Sequence, residues 1–425
     1  MTTLTEMPKY ESYKYSGEEW IGDIPKHWVS QKLKHIFYEK KHKSNMSLSC
    51  GAISFGRVVD KGDEKVTEAT KKSYQEVLNG EFLINPLNLN YDLISLRIAL
   101  SEINVVVSAG YIVLKEKTNL DKNYFKYLLH RYDVAYMKLL GSGVRQTISF
   151  SHISNSLLLL PPIEEQTAIA NFLDEKTSKI DEAIAIKEKQ IELLKERKQI
   201  IIQQAVTQGL DPSVPMKDSG VEWIGLIPEH WVIRRSRFVF CQRKERARSK
   251  DVQLSATQAY GVIPQEQYEE MVGRKVVKIS FHLDKRKHVE INDFVISMRS
   301  FQGGLERAWA SGCIRSSYVV LRPVNPEEID AGFFSYLLKL PSYINALQMT
   351  ASFIRDGQDL NFDNFSQVDL FIPPIDEQRA IFSAIQSKVD EINKATEIFI
   401  GQITKYQEYK TTLINSAVTG KIKVV

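Results

Sequence analysis

The sequence predicts an α+β protein: two copies of one mixed α/β module, each followed by a long helix. Two observations predict it: motifs that recur about 200 residues apart, and two loop-free helical stretches with matching heptad patterns. Residues 16–28 read SGEEWIGDIPKHW and residues 219–231 read SGVEWIGLIPEHW, a shift of 203 residues from Trp20 to Trp223. Residues 161–166 read PPIEEQ and residues 373–378 read PPIDEQ, a shift of 212. Such a repeat is far longer than the roughly 20–50 residues of a solenoid unit. It builds a molecule with two similar faces, suited to a ligand that offers two related sites. DNA is such a ligand.

Each module opens on its tryptophan motif and closes on its double proline. In the first, residues 81–84 (EFLI), 104–108 (NVVVS) and 111–114 (YIVL) read as strands, rich in β-branched residues and bounded by Asn, Gly or Ser. The second repeats two of them at 293–296 (DFVI) and 318–321 (YVVL). Apolar residues at 124–129 and 333–338 then take helical spacing. Pro161 and Pro162 stop the preceding strand, and neither Pro nor Gly follows until Gly209, which predicts one long helix. Its apolar seam has two heptad columns: Leu173, Ile180, Lys187, Leu194 and Ile201, then Thr177, Ile184, Ile191, Lys198 and Ala205. A shift of 212 gives Ile385, Ile392, Phe399, Tyr406 and Leu413, then Val389, Thr396, Ile403, Lys410 and Ala417. Two helices in one heptad register are coiled-coil partners, with Ile180, Ile184, Ile191, Leu194, Ile201, Ile385, Ile392, Phe399, Ile403 and Leu413 as the expected interface. The expected boundaries are residues 1–162, 163–208, 209–374 and 375–425.

Composition sets the class. The 425 residues are 43% hydrophobic and 25% charged, with enough sequence for two separate cores. A net charge of +4 is too mild to demand nucleic acid by itself. Cys50, Cys241 and Cys313 have no metal-like spacing and cannot form a disulfide framework, which points to a reducing cytoplasm. The first residues carry no apolar signal region, and no run approaches about 18 apolar residues, so neither export nor membrane insertion is expected.

Four groups of residues are candidates for function. Trp20, Trp28, Trp223 and Trp231 read as anchors at each module's entrance, their turns shaped by Gly22, Pro25, Gly225 and Pro228. His27 and His230 have no Cys, His or Asp cluster beside them, so no metal site is expected. A basic run follows each motif. At the 203 shift Lys32, Lys34, Lys40 and Lys41 meet Arg235, Arg237, Arg243 and Lys244, a pattern suited to positioning on phosphates. Polar loops after the first strand carry Asn85 and Asn88, and Arg299 and Gln302, side-chain types that pair with purine edges. Upstream of each double proline lie Arg145 and Gln146, and Arg355 and Gln358. Lys40, Lys41, Asn85, Asn88, Arg145, Gln146, Arg243, Lys244, Arg299, Gln302, Arg355 and Gln358 are thus the candidate DNA contacts.

Catalytic signatures are missing. No Asn-Pro-Pro-aromatic or Phe-x-Gly-x-Gly motif for base methylation appears, and Asn85-Pro86-Leu87 departs from the first at its third place. Gly420-Lys421 is followed by Ile422 and is no phosphate-binding loop. Glu196 and Lys198 match a nuclease triplet by chance, within the helical seam.

These motifs closely resemble the specificity subunits of type I restriction-modification systems over nearly the whole chain. The shared pattern is WIG-x-IP-x-HW opening each half, Tyr-x-Val-Leu framework strands, and PP-I-(E/D)EQ leading into a helix that ends in Ala-Val-Thr. The resemblance implies two target recognition domains, each reading half of a bipartite, asymmetric site in double-stranded DNA. It also implies an antiparallel helix pair that spaces them and docks methyltransferase subunits, two of them, and restriction subunits through the complex. S-adenosylmethionine, ATP and Mg are then expected in partner subunits, with no cofactor in this chain. Rival readings are a self-sufficient methyltransferase or nuclease, and a coiled-coil scaffold that binds proteins alone.

Overall fold

The computed structural model describes residues 7–87, 96–137, 147–276, 285–297, 300–350 and 361–424. The chain divides into two compact units, residues 1–188 with 400–425, and residues 189–399.

In the first unit the tryptophan motif forms an entrance hairpin, Tyr13–Tyr15 antiparallel to Asp23–Pro25. Val29–Lys32 then pairs antiparallel with Leu157–Leu160, Val29 opposite Leu160, which stitches the module's start to its end. Pro161 and Pro162, without N–H groups, terminate that pairing. Between these ends lies a four-stranded antiparallel sheet ordered Phe37–Glu39, Ile112–Glu116, Phe82–Ile84, Ile98–Leu100. Side chains alternate across it. Phe82, Ile84, Ile112 and Leu114 face the core beneath helix Lys122–Ala135. Leu83, Ala99 and Val113 face Val58, Val77, Val105 and Val107 in a second layer of paired strands. Covered on both sides, residues 82–84 and 112–114 read in sequence as unbroken apolar runs. The helix is capped by Asp121, whose carboxylate accepts from the Tyr124 N–H at 2.9 Å. It buries Tyr124, Phe125, Leu128, Leu129 and Tyr132 on one face. Phe37 meets Phe82 and Phe125 edge-on, with ring centroids 5.5 and 5.3 Å apart.

The second unit repeats this plan. Its sheet runs Phe240–Gln242, Val319–Pro323, Phe294–Ile296, Glu306–Arg307. Asp330 caps helix Ala331–Leu337, and Phe240 meets Phe294 and Phe334 at 5.6 and 5.3 Å. The second layer holds a strand pair that the sequence reading passed over, Lys287–Val289 with Gly312–Ile314. Gly312 and Cys313 dilute the β-branched signal there. Each unit also carries a hairpin not foreseen, Gly51–Ser54 with Arg57–Asp60, and Leu254–Thr257 with Gly261–Pro264.

The helices run Ile163–Gln208 and Ile375–Val418. In the first unit the Lys410 ammonium lies 2.6 Å from the Asp181 carboxylate. In the second, Lys198 donates to Asn393 at 3.1 Å. Residues 163–188 and 400–418 belong to the first unit and residues 189–208 and 375–399 to the second, so in each unit the start of one helix lies with the end of the other. Ile180, Ile191, Ile385, Ile392 and Leu413 are buried, and Ile184, Leu194, Ile201, Phe399 and Ile403 are half-buried. The lysines in the columns are half-buried, their stems covering the seam, while Thr177 is buried with its hydroxyl 3.1 Å from the Tyr127 hydroxyl. On the outer face of the first helix, Ile186, Leu193 and Ile200 stand exposed, seven residues apart.

Candidate nucleic-acid interface

The two recurrent motifs meet. Trp28 is fully buried, and its indole N–H donates to Glu165 at 3.0 Å. His27 and the Tyr10 hydroxyl contact the same carboxylate at 2.6 and 2.8 Å. Burial would push the Glu165 carboxyl up, but hydrogen bonds from Trp28, His27 and Tyr10 outweigh it and hold the group below its usual range. In the second unit Glu377 takes Trp231 at 3.1 Å and His230 at 2.7 Å. The neighbouring glutamines fasten the helix start to the module before it. Gln166 accepts from the Asp121 N–H and donates to the Pro161 carbonyl; Gln378 does the same with Asp330 and Pro373. The tryptophan motif is therefore a socket for the long helix, as its anchor reading requires. Each socket also receives a helix end: a Cβ on Gly420 would lie 2.4 Å from Pro25, and one on Gly209 would lie 3.0 Å from Glu377. Both glycines have positive φ, so this close approach and the helix stop are met together. No cluster among the described residues could hold a metal ion.

The aligned basic runs have a different explanation from the one the sequence suggested. Lys40 pairs with Glu81 at 2.8 Å and with Glu76 at 3.4 Å, its side chain 15% exposed. Arg243 holds Asp293 through two contacts, at 2.7 and 3.1 Å, and Glu245 at 2.7 Å, its side chain 11% exposed. Each buried acid also accepts a backbone N–H from three residues upstream, Leu78 and Glu290 respectively. Lys40 and Arg243 recur because a buried carboxylate at the head of the same strand requires a cation. Both candidates thus carry ion pairs inside their own module. The second run is woven further into its module: Arg248 bridges Glu245 and Glu290, Arg234 pairs with Glu328, and Arg235 lies near Asp369. Beside it His288, 1% exposed, sits 2.8 Å from both Asp251 and Glu290.

What remains at the surface is a smaller set. Lys32 and Lys41, and Arg237, Lys244, Arg246 and Lys250, are exposed and without an ion-pair partner among the described residues. Lys244 and Arg237 line a cleft of about 670 Å³ with Gln242 and Asn361. Asn85 is half-buried and spends its side-chain oxygen on the Leu87 N–H at 3.0 Å, a local turn. Gln302 is exposed on the short helix Ser300–Gly303. Leu87 and Thr147 form an antiparallel bridge, which brings the chain before Asn88 beside the chain after Gln146. Asn88, Arg145, Gln146, Arg299, Arg355 and Gln358 lie outside the described residues. Sequence reasoning passed over Phe55, at the tip of the first hairpin. It also missed the role of Glu165 and Glu377, although the recurrence of their motif was the available signal.

Residues 25–196 match the family model described as the type I restriction modification DNA specificity domain. Over its whole length the chain is 25% identical to a Methanocaldococcus jannaschii protein described as a type I restriction enzyme MjaX specificity subunit, all of which is covered. Its fold is similar to a chain of a type I R-M system solved for complex assembly and conformational transition, with a TM-score of 0.67 and 14% identity, covering 93% of this chain and 98% of that one. It is also similar to the HsdS subunit from Thermoanaerobacter tengcongensis, with a TM-score of 0.52 and 14% identity over 94% and 98%.

Proposed function

We propose that this chain, a member of the type I restriction-modification specificity family, reads a bipartite, asymmetric DNA site with one half-site per module. It is the DNA-recognition subunit of such a system and a non-catalytic one. The observation that carries the bipartite reading is the duplication itself. Two modules share a framework down to the Lys40–Glu81 and Arg243–Asp293 ion pairs, yet present different surface residues. A common scaffold with divergent surfaces suits two half-sites of different sequence. Lys41 and Lys244 remain candidates for phosphate contact; the base-reading candidates are Asn88, Arg145, Gln146, Arg299, Gln302, Arg355 and Gln358.

The helix pair suits both the spacing of the half-sites and the docking of partners. Ile186 in the first unit, and Leu193 and Ile200 in the second, are exposed apolar side chains that methyltransferase helices would cover. Two pseudo-equivalent modules suit two methyltransferase subunits, with restriction subunits joined through them. S-adenosylmethionine, ATP and Mg would bind to those partners, and the complex would act in the cytoplasm. No helix among the described residues is long and apolar enough to cross a membrane.

The test compares the purified chain with the chain co-purified with its methyltransferase subunits. The complex should retain one sequence class of duplex and transfer methyl groups to it from S-adenosylmethionine. Methyl transfer by the chain alone would contradict the reading.

A further inference from the structure

We infer that Phe55 is a base-contacting residue of the first module, projected into DNA on the tip of a β-ribbon. The inference rests on the DNA-recognition reading above and names a residue that the sequence pattern did not.

Gly51–Ser54 and Arg57–Asp60 pair in register, with Ser54 opposite Arg57, so only Phe55 and Gly56 form the turn. Their φ angles are +47° and +72°. A two-residue hairpin turn with both central residues at positive φ is the type whose preferred residues are Asn-Gly, Asp-Gly or Gly-Gly. A bulky aromatic in the left-handed region is strained. Phe55 is also 89% exposed, the most of any large apolar side chain among the described residues. The residue therefore carries two penalties, backbone strain and an unburied ring, and its own module returns nothing for either. Costs of this kind collect at functional sites.

Nucleic acid is the partner because reading DNA is the function proposed for this module. The cleft that Phe55 borders mixes Val58, Val59, Leu96, Leu100, Tyr127 and Ile414 with Arg57, Lys126 and Lys410 and with Glu102, Asp174 and Asp181, so its charges offset, and the cations that accompany the ring lie on the hairpin itself. Arg57 is exposed next to the ring, and Lys61 follows at the hairpin's foot. Two strands about 4.8 Å apart fit the major groove, which is about 12 Å wide. A lone ring at the end of such a ribbon meets the two apolar surfaces that DNA offers, the thymine methyl and the face of an unstacked base. The second module's tip is built differently. Its loop has three residues, the Gln258 carbonyl is held by Lys339 at 3.1 Å, and the Tyr260 ring leans on Tyr268 at 6.4 Å. Different tips on one framework are what two different half-sites call for.

The decisive variant is Phe55→Asn, because Asn tolerates the left-handed turn and removes the ring. The full chain in complex with its methyltransferase would be titrated against two duplexes: one carrying the motif methylated in the host, and one with the first half-site scrambled. The variant should melt no lower than wild type. It should bind the intact site roughly tenfold or more weakly, with little change on the scrambled duplex. Uracil in place of thymine lowers wild-type affinity if the methyl group is the contact. 2-Aminopurine brightens on binding if a base is unstacked. Wild-type affinity in Phe55→Asn, or an equal loss on both duplexes, overturns the proposal. A wild-type complex that fails to tell the duplexes apart overturns the DNA-recognition reading beneath it.

Discussion

Consider a fragment ending at residue 214, which keeps the first module, the first long helix, and Gly209 and Leu210. In the full chain the first module's core is closed by the end of the second helix: Leu413, Ile414, Val418 and Ile422 are each at most 6% exposed. Losing four such side chains uncovers partners worth about 1.5–3 kcal/mol each, or about 6–12 kcal/mol together. A domain's whole stability is about 5–15 kcal/mol. The fragment therefore cannot remain a stable monomer. It does own replacements. Ile201, Ile202, Val206 and Leu210 stand 212 positions before the lost residues, and in the second unit Ile202, Ala205 and Val206 pack into the core that holds Trp231. Two fragments that exchange helix ends close both sockets as an isologous dimer. In that dimer Asp181 faces Lys198 of its twin, because Lys198 is the counterpart of Lys410. This exposed pair forms twice, each worth no more than about 1 kcal/mol, so the apolar exchange drives assembly. Sedimentation velocity across a dilution series should show a dimer whose thermal midpoint rises with protein concentration. A folded monomer melting near the full chain would refute the interchangeability of the two sockets.

Glu165→Ala leaves the buried Trp28 N–H and the Tyr10 hydroxyl unpaired, at about 1–3 kcal/mol for each buried donor. The first unit should melt earlier by calorimetry, with Glu165→Gln milder. His288 should make the second unit pH-sensitive. Burial opposes its charge, but the hydrogen bonds that the ring donates to Glu290 and Asp251 prevail and raise its pKa, while His288 and Ser311 hold Glu290 down to about 2. A raised folded pKa contributes stability fully below the unfolded value of about 6.5 and loses it as pH rises through the folded value. The second unit's thermal midpoint should fall above about pH 6.5, and His288→Gln should flatten that limb. Lys40→Met strands the buried Glu81 and should cost about 3–5 kcal/mol of first-unit stability. Lys244→Ala should leave melting unchanged, weaken DNA binding evenly across sequences and reduce the salt slope by about 1.

The long helices were legible because a heptad seam is a local pattern, repeated for over 40 residues without Pro or Gly in the first helix and across Gly401 in the second. The strands at 82–84 and 112–116 were legible because burial on both faces leaves residues 82–84 and 112–114 uniformly apolar. Gly312–Ile314 was not, since its place in the second layer comes from pairing with Lys287–Val289 rather than from its own composition. The Phe55–Gly56 hairpin hid for the opposite reason: its turn uses a residue that the turn disfavours. The basic runs illustrate a further limit. Charge alignment between repeats records a shared requirement, and sequence alone cannot tell whether a phosphate or a buried carboxylate such as Glu81 imposes it.

Exchanging one module tests most directly whether each module reads its own half-site. Residues 29–160 would be exchanged for those of a relative with a different target, in the full chain with its methyltransferase, and methylated motifs mapped across the host genome. One half of the motif should change, while the other half and the spacer between them stay as they were. A change in both halves, or in neither, would contradict it.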